Sequence, residues 1–160
     1  MLSPTRFAYD VGKSRIGAAR AVSGTSVVLP ITTYRVMPME VHFDEILDDL
    51  ETYQPEIIYV GLPLHLNGKA GISVEMAKEF AAKLQELYPQ GTIRLIDERL
   101  TTATAHQHLA AAGISGKKRG GVVDQVAACV ILEQAIAAEE STGELAGLPF
   151  DVKKNRREKK

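Results

Sequence analysis

The chain has 160 residues, 45% of them hydrophobic, and a formal net charge of −1. This suits one globular domain with a sizeable core, and no window approaches the roughly 18 apolar residues of a membrane span. A single cysteine, Cys129, excludes an internal disulfide and a cysteine-based zinc site.

Cys129 sits in an apolar run and reads as a buried, inert thiol, and the start "MLSPTRFAYD" lacks a secretory pattern, so the chain reads as cytoplasmic. Residues 151–160 carry six Lys/Arg against two acids, which leaves 13 basic and 18 acidic groups in the other 150 residues. An acidic body does not offer the broad basic face of a duplex binder. We read residues 1–150 as the domain and "DVKKNRREKK" (151–160) as a disordered basic tail, with attraction to phosphate backbones as a secondary role.

In chain order, "RFAYDVG" (6–12) and "IGAARAV" (16–22) read as two strands joined by a turn at Lys13-Ser14. "SVVLPITTYRV" (26–36) reads as a third, with Pro30 suggesting an edge or a bulge. Val41, Ile46, Leu47, Leu50 and Tyr53 follow a 3.6-residue period, predicting a helix that stops before Pro55. The continuous apolar run "EIIYVGLP" (56–63) predicts a strand buried on both faces. A loop at 64–71 follows, then a helix carrying Val74, Ala77, Phe80, Ala81, Leu84 and Leu87, and a fifth strand at 92–96. Residues 102–112 predict a short helix, 113–121 a glycine-rich basic loop, and about 122–140 a last helix.

This order of elements predicts an α/β domain with a five-stranded mixed sheet flanked by helices. Right-handed crossovers give the spatial order 3-2-1-4-5, with strands 1, 4 and 5 parallel. Ligands of open α/β sheets lie beyond the carboxyl ends of such strands. There strand 1 ends near Asp10, strand 4 in Gly61-Leu62-Pro63, and strand 5 in Asp97-Glu98, while Asp124 opens the last helix.

Each acid alone has a plain explanation: Asp10 as a turn former, the others as charges at the positive end of a helix. Their coincidence at one rim favours a site. Carboxylates gathered around one point repel unless cations lie between them, and oxygen ligands suit Mg²⁺ or Mn²⁺. Such ions can clamp an in-line displacement at phosphorus.

Four blocks, "FAYDVGKSRIGAA", "IIYVGLPLHLNGKAG", "LIDERLTTATA" and "VVDQVAACVIL", resemble the signature blocks of the YqgF/RuvX family. These are pre-16S ribosomal RNA nucleases related to Holliday-junction resolvases. The resemblance spans residue 7 to about 132. It implies an RNase H-like fold, metal-dependent phosphodiester hydrolysis, and action on RNA in maturing the 5′ end of pre-16S rRNA, with branched DNA as the other nucleic-acid partner.

Carried over by position, the catalytic and metal-holding acids fall on Asp10, Glu98 and Asp124. The resolvase relatives place a glutamate at the end of strand 4, where this chain has Gly61-Leu62-Pro63, so the second acid must come from strand 5. Asp97 and Glu98 point to opposite faces of a strand, and the longer Glu98 is favoured, with Asp97 as its rival. Arg99 is a candidate phosphate clamp, its alternative role being a salt bridge to an acid. Thr101 or Thr102 reads as a helix cap first and a phosphate contact second.

Lys13 and Arg15 after Asp10, and Lys117, Lys118 and Arg119 before Asp124, flank the acidic rim, where basic side chains would hold a nucleic-acid backbone. Solvated turns are the plain alternative. Asn67 lies in the loop after strand 4, expected to face substrate. The four histidines show no metal spacing.

Three rivals remain at this stage. "DVGKSRIG" resembles the first phosphate-binding hairpin of the actin and sugar-kinase superfamily, but those proteins enclose ATP between two domains and 160 residues supply one. A non-catalytic RNA-binding or assembly factor would gain nothing from acids that repel phosphates. A junction resolvase would share the chemistry and need a homodimer.

Overall fold

A computed structural model describes residues 5–63, 71–97 and 116–151, with side chains of the last helix from 124 onward. The strands are β1 (Arg6–Val11), β2 (Arg15–Ala21), β3 (Val28–Arg35), β4 (Ile57–Leu62), β5 (Thr92–Asp97) and β6 (Leu148–Pro149). The helices are α1 (His42–Tyr53), α2 (Ile72–Leu87) and α3 (Gly116–Thr142).

The sheet order is β3-β2-β1-β4-β5-β6, with β1, β4 and β5 parallel and the other pairings antiparallel. The expected order is therefore extended by one strand. β6 has only two residues and no apolar alternation to announce it. It is fastened by Arg94 of β5, whose guanidinium donates to the carbonyls of Leu145, Ala146 and Gly147 at 2.8–3.1 Å. Gly147 has φ +71°, and a side chain there would run into the Leu95 carbonyl.

Pro30 sits on the edge strand at a bulge: Ala18 pairs with Thr32 but Ala19 with Pro30, so Ile31 is the extra residue. The missing N–H of proline thus costs the ladder nothing it needed. α1 closes through Gln54 in the left-handed region (φ 49°), just before Pro55.

Alternation along the strands builds two cores. Phe7, Tyr9, Ile16, Ile58, Val60, Ile93 and Leu95 face α1 and α2 and meet Ile46, Leu50, Phe80 and Leu84. Ala8, Ala19, Ala21, Tyr59 and Ile96 face α3 and meet Ala128, Ile131, Leu132 and Ala135. The α3 side of β1 and β2 is built of alanines, which lets the helix backbone settle close to the sheet. Tyr34 of β3 donates to Asp49 of α1, tying the edge strand to the first layer.

α3 is longer than its sequence suggests. Gly116–Gly121, read as the end of a basic loop, are helical. Two glycines weaken helix propensity by about 1 kcal/mol each, but packing of the following turns on the sheet outweighs that preference. No helix among the described residues is long and apolar enough to cross a membrane.

Candidate active site

The β1–β2 ladder pairs Asp10 directly with Gly17. Residue 10 has the parity of Ala8, and residue 17 that of Ala19 and Ala21, so both lie on the α3 face. Gly17 is where α3 touches the sheet most closely. A Cβ built on Gly17 would overlap the Asp124 carbonyl and come within 2.9 Å of the Asp124 Cβ. Only glycine allows this approach, and it brings Asp124, 114 positions away in the chain, beside the cross-strand partner of Asp10.

The other flank of Asp10 faces β4. β1 and β4 run parallel with Tyr9 opposite Val60, so one further step sets Asp10 beside Gly61. Gly61 shares the parity of Tyr59 and faces α3. Asp10 therefore stands between two glycines, Gly17 across the β2 ladder and Gly61 beside it on β4.

Arg15, at the start of β2, carries the same parity as Gly17 and turns to Asp124. Its Nε lies 3.0 Å from Asp124 Oδ2, with the Arg15 side chain 49% exposed and that of Asp124 18%. The contact is an ion pair by distance, but the N–H is not aimed at the oxygen, and Oδ2 is buried without a hydrogen-bond partner. Burial raises the pKa of Asp124 above the ordinary aspartate value, and Arg15 offsets part of that rise.

Asp97 falls on the other face. It pairs with Leu62, which belongs to the α1/α2 core, and follows Leu95 of the same core by two residues. Asp97 thus stands on the face opposite Asp10. Glu98, Arg99 and Thr101 lie outside the described residues, as do Asn67 in the 64–71 loop, the expected helix at 102–112, and the tail from 152. Lys117, Lys118 and Arg119 are on the first turns of α3, upstream of Asp124, and their side chains lie outside the described set. Among the described residues no three metal-ligating side chains converge.

The two basic residues of the first hairpin part company. Arg15 joins Asp124, whereas Lys13 lines a groove of about 280 Å³ on the opposite face, with Phe43, Met76, Phe80 and Lys83. Sequence reasoning grouped the pair because they flank one turn; strand parity separates them. The sequence offers Arg15 as a substrate contact or a solvated turn residue, because its partner is 109 positions downstream. The small residues two apart in "RIGAARA", Gly17, Ala19 and Ala21, are the available signal.

Cys129 is half-buried, and burial together with the Glu133 charge pushes its thiol up to about 11. It fits the inert role expected of it.

The donor chemistry suits a hard divalent cation. Two carboxylates on one face, one of them a buried Asp124 oxygen held by a guanidinium without an aligned hydrogen bond, are hard oxygen donors of the kind such an ion prefers.

The model of the RuvX family, described as Holliday junction resolvase, matches residues 5–138. A protein of Streptomyces avermitilis named "Putative pre-16S rRNA nuclease" is 35% identical over 147 residues, covering 92% of this chain and 94% of its own. A Methylobacillus flagellatus protein of the same name is 37% identical over 125 residues, covering 78% and 85%. Among solved structures, Thermus thermophilus RuvC in complex with a Holliday junction substrate aligns with a TM-score of 0.57 at 14% identity, covering 91% of this chain and 99% of that one. RuvC of the same organism alone gives 0.52 at 17% identity. At such identities these two establish the fold, which is that of the RNase H-like resolvases.

Proposed function

Because the chain belongs to the RuvX family, we propose that it is a metal-dependent nuclease, a hydrolase of phosphodiester bonds that trims pre-16S rRNA during ribosome maturation in the cytoplasm. The observation that carries this reading is the placement of Asp10 opposite Gly17, against whose bare Cα Asp124 is packed. Glu98 is proposed as the third acid: it follows Asp97 by one residue, and continued period-two alternation would turn it to the face of Asp10.

Asp10, Glu98 and Asp124 would hold Mg²⁺ or Mn²⁺ through carboxylate oxygens. Held there, such a cation would lower the pKa of a water and offset charge on the phosphate oxygens. The protein's part is to fix the acids on rigid elements, Asp10 within a strand and Asp124 on a helix seated by Gly17. Arg99, Thr101, Asn67 and the Lys117–Arg119 cluster serve as contacts to the nucleic-acid backbone, holding the scissile bond without reading its bases.

The test is cleavage of a precursor 16S rRNA fragment with Mg²⁺ or Mn²⁺, with EDTA, and by Asp10→Asn and Glu98→Gln. Loss in all three of the latter is expected, and cutting that survives either substitution refutes the assignment. A second reading, resolution of branched DNA by a homodimer, is favoured by the description of the family. A four-way DNA junction in the same assay separates the two.

A further inference from the structure

We propose that Arg15 is a resident counter-ion that competes with the divalent cation for Asp124, and that loading the site releases its guanidinium toward the substrate phosphate. The inference rests on the metal-site reading above and adds a role for a residue outside the acidic set.

The two partners are unequal. Asp124 is held in place, because its backbone is wedged against Gly17. Arg15 sits at the first position of β2, half-exposed, beside a turn. When something must move, it is the arginine. Its hold is also incomplete: the Nε lies within 3.0 Å of Oδ2, yet the oxygen lacks an aligned hydrogen bond. A guanidinium and a divalent cation cannot both stand at one carboxylate without strong repulsion. A cation arriving at Asp124 therefore displaces Arg15 into solvent on the α3 face of the sheet, where Asp10 also points. A planar fork freed there is suited to phosphate oxygens, which the acids alone would repel.

The rival account makes Arg15 a staple that ties β2 to α3. A staple predicts lower stability on removal and no gain in metal affinity.

The experiment measures Mn²⁺ binding to the full chain without nucleic acid, by calorimetry and by the electron paramagnetic resonance signal of free Mn²⁺, at about pH 8, where carboxylates are ionised. Arg15→Gln is expected to tighten Mn²⁺ binding about tenfold or more, since one like charge is lost at close range. Lys13→Gln, on the other face, should change it by less than about twofold. At saturating Mn²⁺, Arg15→Gln should cleave RNA more slowly, and Arg15→Lys should restore part of both properties.

Tighter metal binding paired with slower cleavage is a signature that a staple does not produce. If Asp124→Asn weakens Mn²⁺ binding but Arg15→Gln does not strengthen it, the counter-ion role is refuted and the metal site stands. If Asp124→Asn binds Mn²⁺ as the wild type does, the metal reading falls and this inference with it. Thermal unfolding of each variant confirms that the folded protein is being compared.

Discussion

Gly17 faces Asp10 across the β1–β2 ladder, and the side chain it lacks is the space into which Asp124 is packed. One hydrogen atom in place of a methyl group thus sets the distance between two acids drawn from opposite ends of the chain. Gly17→Ala should destabilise the fold by about 1–3 kcal/mol, the usual effect of overpacking a tight contact. Because the obstacle is backbone, the helix must shift, and cleavage should fall further than the loss of folded protein explains. Urea unfolding set beside cleavage rates separates the two effects.

The neighbouring acids Asp97 and Glu98 should behave differently. Glu98→Gln is expected to lower cleavage on the order of 10²–10³-fold, in line with losing a few kcal/mol of transition-state stabilisation. Asp97→Asn, paired with Leu62 on the far face, should stay within about tenfold of wild type. The ordering of the two rates, measured on one substrate, decides which acid serves the site.

Asp124 makes the protein sensitive to pH in a defined direction. Its pKa is raised in the folded state, chiefly by burial, so the native form keeps its proton to a higher pH than the unfolded chain. Folding stability from this group is therefore fullest at low pH and declines as pH rises from the ordinary aspartate value through the raised one. Metal-dependent cleavage runs the other way and should switch off on acidification earlier than an ordinary aspartate would dictate. Arg15 works against the rise, so Arg15→Gln should move the Asp124 midpoint higher still. Carboxyl carbon NMR of the metal-free protein reads both midpoints.

Cys129 offers a check on the packing of α3. With its thiol pushed up to about 11, the thiolate at pH 8 is rarer than in a free cysteine by a factor on the order of 10². Iodoacetamide should label it slowly in the native protein and at an ordinary rate in urea. Fast native labelling would show that α3 leaves the sheet readily.

Arg94 is the clasp of β6. Arg94→Ala removes three donations to the 145–147 carbonyls, and a loss of about 1.5–3 kcal/mol is expected from bonds made by a charged donor. Amide exchange should accelerate at Phe150, whose N–H donates to Ile93, before it does in β1 or β4.

These contrasts mark what the chain reveals by inspection. The parallel strands are legible because Ile57–Leu62 is apolar without interruption, as a doubly covered strand must be. The face of Asp97 is legible because a strand has period two. The helical start of α3 is not, because Gly120 and Gly121 speak locally for a loop and only contacts with the sheet overrule them. β6 escapes because two residues carry no period. The Arg15–Asp124 pair escapes for a different reason: charge complementarity between distant positions becomes specific only when the fold has chosen the neighbours.

The alanines and glycine that α3 rests on, Gly17, Ala19 and Ala21 along β2 with Ala8 beside them, have a consequence for how this chain tolerates change. Asp124 rides on the helix that this column seats, so its coordinates are inherited from the core rather than from a loop. A larger residue at Ala19 or Ala21 would leave every acid intact and still move one of them. Mutational drift in this core is therefore filtered twice, once for folding and once for catalysis, and repacking it for thermostability would trade against turnover.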